Sequence, residues 1–432
     1  MFIHVVKRGD TLWSIANTYG TSVQRLAQDN GLDQMRGLII GQALLVLVPA
    51  ITHTVKSGDT LLSIANTYSI TVMNLLQNNP DLVSNRILYP GRILTISFTT
   101  QKQRQIRING YAYPYINIQV LNRTLPYLSS LTIFGYGISE SGELIEIDDE
   151  PLIRACRQYD VAPIMLLSSI TEDGGFSTER ASFIFNNRAA QNSLIDKIIE
   201  TMQKKGYVGL DIDFEYIDPS DGEAYTEFVA NTTDRLNAVG FTVNVDLAPK
   251  TSTAQKGLLY EGHDYGSLGR AANTVLLMTY EWGYTYGPPM AVAPINQVRS
   301  VVSYAVSQIE PEKIFMGIPN YAYNWTLPYE KGRSKAEVIG NTEAINIAAA
   351  NGASIMFDET SQTPFFEYYD REAKKHVVWF EDVRSIKAKL DTIIDYNLLG
   401  AGYWNVMRLF VQNWSLVNAM FYIEKASDFL IN

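Results

Sequence analysis

A single cysteine, Cys156, stands among 432 residues, so no disulfide can form within the chain. It falls in a helix predicted over Pro151 to Tyr159. With nothing near it to lower its pKa, it reads as a buried inert thiol rather than a nucleophile. The four histidines, His4, His53, His263 and His376, show no paired ligand spacing, so neither a metal site nor a cofactor is expected. Basic charge is also scarce: 35 Lys and Arg against 45 Asp and Glu leave a net charge of −10. That balance argues against nucleic acid and offers no basic patch to an anionic membrane. No apolar run is long enough to span a bilayer. Met1 to Asp10 lacks the basic region and apolar core of a secretory signal.

What is present is an ordinary soluble composition, 46% hydrophobic and 19% charged, in a chain long enough for two or more domains. The most informative stretch runs Val208-Gly209-Leu210-Asp211-Ile212-Asp213-Phe214-Glu215-Tyr216. A strand turns successive side chains to opposite faces, so Asp211, Asp213 and Glu215 project to one side. Val208, Leu210, Ile212 and Phe214 fill the other. Three acids on one buried face are costly unless they share protons, hydrogen bonds or a ligand. A solvated acidic edge strand would not carry that apolar opposite face, which suits a strand buried on both sides of a parallel barrel.

After residue 105, β-rich runs alternate with helical stretches. Strands are predicted at Arg107–Tyr113, Leu131–Tyr136, Pro163–Ser168, Tyr207–Glu215, Phe241–Ala248, Val275–Tyr280, Lys313–Pro319 and Leu399–Trp404. Helices are predicted at Ser182–Lys205, Glu223–Val239, Asn296–Gln308 and Asp382–Tyr396. This is an α/β pattern, a (β/α)8 TIM barrel over residues 106–432. A small β-rich insertion, Thr363 to Phe380, lies between strands seven and eight.

Chemistry in such barrels sits at the carboxyl ends of the strands. Strand four ends on Asp213 and Glu215, and strand six on Met278-Thr279-Tyr280-Glu281. Strand seven ends on Gly317-Ile318-Pro319-Asn320-Tyr321, and strand eight on Gly402-Tyr403-Trp404. Among strand-end aromatics, Trp404, Tyr280 and Trp282 are the candidates for sugar contact. Tyr113, Tyr136, Tyr321, Tyr323 and Trp325 serve equally well as barrel filling. Residues two apart on a strand lie roughly 6.6 Å apart, which suits a hydrogen bond shared by Asp213 and Glu215. No second carboxylate is read opposite them as the nucleophile of a two-carboxylate scheme.

These motifs resemble glycoside hydrolase family 18, the chitinase-like enzymes, whose strand-four pattern reads Asp-Gly-x-Asp-x-Asp-x-Glu. Gly209, Asp211, Asp213 and Glu215 match, and Val208 replaces the first Asp. Tyr280 and Glu281 stand where the family shows Met-x-Tyr-Asp. The resemblance spans residues 106 to 425. It implies a retaining, substrate-assisted reaction in which the 2-acetamido oxygen of the sugar attacks its own anomeric carbon. It implies Glu215 as general acid and then base, and Asp213 orienting the acetamide N–H. Asp211 would share charge or a proton behind it, and Tyr280 would hydrogen-bond the acetamide oxygen. Trp404, Trp282, Tyr321 and Glu281 are the substrate-binding candidates. Neighbouring acids should separate in pKa, leaving Glu215 protonated near neutrality.

The first hundred residues contain a repeat. Val6 to Tyr19 aligns with Val55 to Tyr68 at an offset of 49 residues, the kind of period to be sought first. Each unit reads strand, helix, helix, strand, with a turn at Gly-Asp and a threonine, Thr11 or Thr60, placed to cap the helix. The units resemble LysM modules, which bind N-acetylglucosamine-containing glycans. The resemblance places sugar contacts at Gly9, Asp10, Thr11 and Asn30, and at Gly58, Asp59, Thr60, Asn79 and Pro80. For Gly9 and Gly58, shaping the turn explains the residue equally well.

The expected organisation is a module over 1–49, a second over 50–98, a polar linker over 99–105, and the barrel. The linker implies repeats and barrel that fold independently, so a chain without residues 1–97 keeps an active barrel. A monomer is expected. Two glycan modules joined to such a barrel resemble the cortex-lytic N-acetylglucosaminidases of bacterial spores. That implies a peptidoglycan-hydrolysing enzyme acting on spore cortex or its fragments during germination, held in coat, cortex or wall without a cleaved signal peptide. A chitinase is the alternative within the enzyme class. A non-catalytic lectin or coat protein leaves Glu215 unexplained.

Overall fold

The computed structural model describes residues 1–32, 37–171 and 175–430. Eight parallel strands, Arg104–Ala112, Ser130–Ile138, Ala162–Ser168, Gly209–Asp213, Thr242–Leu247, Thr274–Leu277, Ile314–Pro319 and Gly400–Trp404, follow one another around a barrel. The eighth returns to the first, with Gly400 opposite Arg107 and Tyr403 opposite Gly110. These are the eight anticipated runs, and their buried apolar residues reflect a sheet covered on both faces.

Strands one and five end one residue short of the sequence reading, and strands four and six end two and three short, where the shortfall shapes the site. Strand four stops at Asp213, because the next carbonyl, Phe214 O, is taken by the His263 ring at 3.1 Å. Strand six stops at Leu277. There the N–H groups of Thr279 and Tyr280 turn back onto the carbonyls of Leu277 and Met278, each at 2.8 Å, the two-residue bonds of γ-turns. The predicted helix Ser182–Lys205 is two helices, Thr178–Asn186 and Arg188–Lys205. Asn187 breaks it by leaving helical geometry and capping the second helix through the Ala190 N–H. Cys156 is buried in helix Glu150–Gln158, and burial pushes its thiol up to about 12.

The insertion after strand seven is larger than the run Thr363 to Phe380. It is a five-stranded antiparallel sheet of Ala322–Thr326, Glu337–Ile339, Met356–Asp358, Thr363–Tyr369 and Lys375–Trp379. Helix Asn341–Ala350 packs on it. Its first strand follows directly on Tyr321, so the sheet is rooted at the rim of the barrel mouth.

Each repeat pairs two antiparallel strands, Phe2–Val5 with Ala43–Val46, and Pro49–Thr54 with Ile93–Phe98. Helices Leu12–Tyr19 and Val23–Asn30 lie in the first, Leu61–Thr67 and Val72–Asn78 in the second. The second repeat has a further short helix, Asp81–Ser84, that the sequence did not show. Thr11 and Thr60 cap their helices through the N–H groups of Ser14 and Ser63, both at 3.0 Å. Gly9 and Gly58 take φ values of 92° and 89°, a left-handed turn that favours glycine.

The repeats are docked on the barrel rather than tethered to it, which argues against independent folding. Arg104 and Gln105 belong to the first barrel strand, so the polar run 99–105 is only partly a connection. Helix Val411–Met420 is buried from Gln412 to Met420, between the barrel and helices of both repeats. Gln412 Nε2 donates to Asn30 Oδ1 at 2.7 Å and to Ala43 O at 2.9 Å. Asn418 Nδ2 donates to Asn78 Oδ1 at 2.9 Å, and Gln77 Nε2 to Pro126 O at 2.8 Å. Buried Arg25 joins the two repeats, binding Asp29 in one and Asn78 O in the other. Ile39 of the first repeat sits in the core of the insertion with Ala322, Ile355 and Phe366. Polar side chains with fixed partners across a boundary mark an interior, not a linker.

Candidate active site

The barrel mouth holds a cavity of about 560 Å³ lined by Asp213, Glu215, Asp246, Tyr280, Glu281, Trp282 and Trp404, with Phe176, Tyr216, Tyr260 and Tyr284 around it. Strand geometry brings the acids here. Asp211 and Asp213 both point inward from strand four, and Glu215 follows on the loop.

Asp211 is 1% exposed and fully bonded. The Tyr111 hydroxyl lies 2.8 Å from Oδ2, Asn244 Nδ2 donates to Oδ1 at 2.7 Å, and Thr132 reaches Oδ2 at 3.3 Å. Burial raises its pKa and these donors oppose the rise. Asp213 is 5% exposed, and its Oδ1 has no partner among the described residues. Burial, then the charges of Glu215 and Asp211, push its carboxyl far above the ordinary range. Burial, then Glu281, also raises Glu215. The Coulombic cause is ordinary: like charges nearby disfavour ionisation.

Strand six contributes the facing wall. Tyr280 reaches over Gly317 of strand seven, where an added Cβ would lie 2.7 Å from the Tyr280 ring and 2.5 Å from Leu277 O. Glu281 adopts φ 66°, rare for a residue with a side chain and a mark of functional constraint. Its carboxylate accepts hydrogen bonds from the Tyr321 hydroxyl and from the Tyr323 hydroxyl at 3.0 and 3.1 Å. Trp404 forms the floor, its ring 5.4 Å from Phe134 and 5.7 Å from Tyr111 in edge contacts.

Several sequence-derived candidates have other tasks. Tyr321 does not line the cavity; it is buried beneath Glu281 and orients it. Tyr136 is buried against Asp149 and Tyr207, and the Trp325 indole donates to Gly287 O at 2.9 Å. Two further carboxylates reach the cavity: Glu281, a substrate-binding candidate from the sequence, and Asp246, which the sequence reading did not single out. Asp246 and Asn244 could have been found, because they alternate with Val243, Val245 and Leu247 as the acids of strand four do. His263 gave no signal. Burial lowers its pKa to about 4, and its neutral ring braces Phe214 O next to Glu215.

In the repeats, Asn30 and Asn79 are internal braces, a correction to their reading as sugar contacts. Asn79 is 3% exposed, donates to Leu75 O and Thr95 O, and accepts from Thr95 N–H, all at 2.8 Å. Asn30 makes the equivalent bonds to Leu26 and Leu45. Pro80 is buried, facing Tyr127 and Trp414. Asp10 and Asp59 hold their turns through the N–H groups of Lys7 and Lys56, each at 2.7 Å. The loop Gly9-Asp10-Thr11 stays accessible, and an unanticipated residue, Trp13, stands beside it 69% exposed. Together with Leu12, Leu32 and Leu38 it borders a hollow of about 440 Å³.

A closed parallel barrel with clustered, buried acids at the end of strand four, an aromatic floor and two appended repeats is the architecture of a barrel glycosidase. Residues 153–408 match the profile of glycosyl hydrolases family 18, and residues 4–46 and 53–97 match the LysM domain. The chain belongs to glycosyl hydrolases family 18 and carries two LysM modules. It is 39% identical to the cortical fragment-lytic enzyme of Bacillus subtilis (strain 168), over 98% of this chain and 99% of that one. The crystal structure of the Bacillus megaterium spore cortex-lytic enzyme SleL is 36% identical and superposes with a TM-score of 0.83 across 98% of both chains. A chitinase of Chromobacterium violaceum, 22% identical with a TM-score of 0.68, covers 73% of this chain and 98% of its own, and shares the fold.

Proposed function

We propose that the chain is a peptidoglycan N-acetylglucosaminidase acting on bacterial spore cortex or its fragments during germination. The observation that carries this reading is the pairing of an acid site with two glycan modules in one docked body, matched over the whole chain by cortex-lytic relatives. Association with wall or cortex follows from the modules, and a monomer is the simplest state. A chitinase is the second reading, favoured only by the shared barrel.

Glu215 is the general acid toward the leaving oxygen and then the base toward water. Asp213, with one oxygen lacking any donor, takes the acetamide N–H and steadies the oxazolinium-like intermediate. Asp211 lies behind it, and Tyr280 hydrogen-bonds the acetamide oxygen. The two tyrosine hydroxyls on Glu281 fix it as a binding group, and Trp404 and Trp282 stack on sugar. The anomeric configuration is retained. Mass spectrometry of products from purified cortex peptidoglycan tests the reading. New N-acetylglucosamine reducing ends are expected, and new muramic acid reducing ends would overturn it.

Asp213→Asn should lose turnover by about 10²-fold or more while still binding glycan, since it removes a charge stabilised only as the reaction proceeds. Equal cleavage of substrates with and without the 2-acetamido group would sink the substrate-assisted scheme.

We further propose that Trp13 is the sugar platform of the first module, beside the turn Gly9-Asp10-Thr11, while Gly58-Asp59-Thr60 serves the second. Trp13→Ala should weaken retention on insoluble peptidoglycan several-fold, because it removes the exposed aromatic face beside the turn on which a sugar ring can stack. Activity on short soluble fragments should stay unchanged. Pull-down with purified peptidoglycan measures it, and undiminished retention would remove Trp13 from the glycan surface.

A further inference from the structure

We propose that Asp246 is the residue with which Asp211 shares a proton, making a singly protonated carboxyl pair that sets the charge Asp213 meets from below. The inference rests on the substrate-assisted reading above and gives Asp211 its partner. Asn244 lies opposite Asp211 in the register of strands four and five, and Asp246 points inward two residues further on. The Tyr111 hydroxyl, arriving from strand one, lies 2.8 Å from Asp211 Oδ2 and 2.9 Å from Asp246 Oδ1. A phenol has one proton and donates to one oxygen. The second contact is a hydrogen bond only if that carboxyl bears a proton and donates to the phenol. Asn244 Nδ2 spans the same pair, 2.7 Å from Asp211 Oδ1 and 3.1 Å from Asp246 Oδ1.

Among the described residues no cation bonds either carboxyl; Arg107, which lines the lower cavity with Asp211, is paired with Glu424 at 2.7 Å. Tyr111, Thr132, Asp213, Tyr225 and Tyr280 face the pair. Lys250 and His263, on the chain after strand five, are engaged elsewhere. Lys250 Nζ donates to His263 O at 2.8 Å, and the ring of His263 binds Phe214 O. Two buried carboxyls bridged by one phenol and one amide then titrate as a unit, with one proton between them at neutral pH. Burial raises both Asp211 and Asp246, and the charge of Asp211 raises Asp246 further.

The pair also lies between two cavities. Asp246 lines the substrate cavity at the carboxyl ends of the strands. Asp211 lines a second cavity of about 350 Å³ at the amino-terminal mouth, with Asn109, Ser130, Thr132 and Asn244. Because Asp211 is satisfied by Tyr111, Asn244 and Thr132, and Asp246 carries the proton, Asp213 is left to face substrate with one net negative charge beneath it instead of two.

Infrared spectra of the substrate-free, full-length chain at neutral pH test the proposal through the C=O stretch of protonated carboxyls. Asp246→Asn should remove one such band, Asp211→Asn should remove the same band, and the double variant should remove no more. Asp246→Asn should also lower kcat by up to about 10²-fold with KM little changed, the cost of slight misplacement of a reacting group. If the band survives in Asp246→Asn and disappears only in Asp211→Asn, the proton belongs to Asp211 without Asp246 and the proposal fails. Should Asp246→Asn not fold, Tyr111→Phe takes its place. Losing the bridging hydroxyl should shift the band, and an unmoved band overturns the pair. The spectrum is independent of which glycan is cut, so failure here leaves the function above standing, and failure there leaves the pair.

Discussion

Glu215→Gln should bind glycan as the wild type does and fail to cleave it. The amide keeps the shape of the side chain but cannot deliver a proton to the leaving oxygen or accept one from water. General acid–base work contributes about 10²–10⁴-fold, and this carboxyl performs it in both halves of the reaction, so the upper end of that range is expected. The environment is suited to the task. Burial and the charge of Glu281 hold Glu215 above the ordinary carboxylate pKa, and so keep it protonated at a higher pH than a free glutamate. No protein donor among the described residues bonds its carboxyl, and the loss of fold that follows removal of a buried hydrogen-bond partner is not expected. Release of reducing sugar from cortex fragments, measured beside retention on peptidoglycan, separates chemistry from binding. Near-wild-type turnover would remove Glu215 from the reaction.

The barrel was legible because strands buried on both faces are written as apolar runs, and the acids because charge inside such a run has no structural excuse. Asp211 and Asp213 are where alternation puts them. Glu215 reaches the same cavity although it lies beyond the strand, since the turn braced by His263 prolongs the inward direction. What alternation cannot show is which inward residues from different strands meet. Tyr111, Asn244 and Asp246 come from strands one and five, and only closure of the barrel brings them to Asp211. The insertion hid itself in another way. Ala322–Thr326 and Glu337–Ile339 are too short for a period to register, yet they carry Tyr323 to Glu281. The repeats misled most. Arg25, Gln77, Asn78, Gln412 and Asn418 look like surface polarity in one dimension, and each proves to be buried with a specific partner.

That burial reverses the expected effect of removing the modules. A chain lacking residues 1–97 should be strongly destabilised, not left with an intact barrel. Deletion strips the outer cover from helix Val411–Met420, whose buried stretch includes Trp414, Leu416, Val417 and Met420. It also withdraws Ile39 from the core of the insertion, which holds Tyr323 on Glu281. Each large apolar side chain returned to water costs about 1.5–3 kcal/mol. Losing several approaches the whole stability of a typical domain, about 5–15 kcal/mol. The partners of Gln412, Asn418 and Pro126 go at the same time. Calorimetry of the full chain should therefore show modules and barrel unfolding in one transition, and the truncated barrel should melt far lower or aggregate. A subtler change tests the same contact without truncation. Ile39→Asp, which leaves every catalytic and glycan-facing residue in place, should lower the melting temperature and reduce activity on soluble fragments as the insertion loosens. Two separate transitions in the full chain, with a truncated barrel as stable as the intact protein, would mean that the docking contributes nothing to the fold.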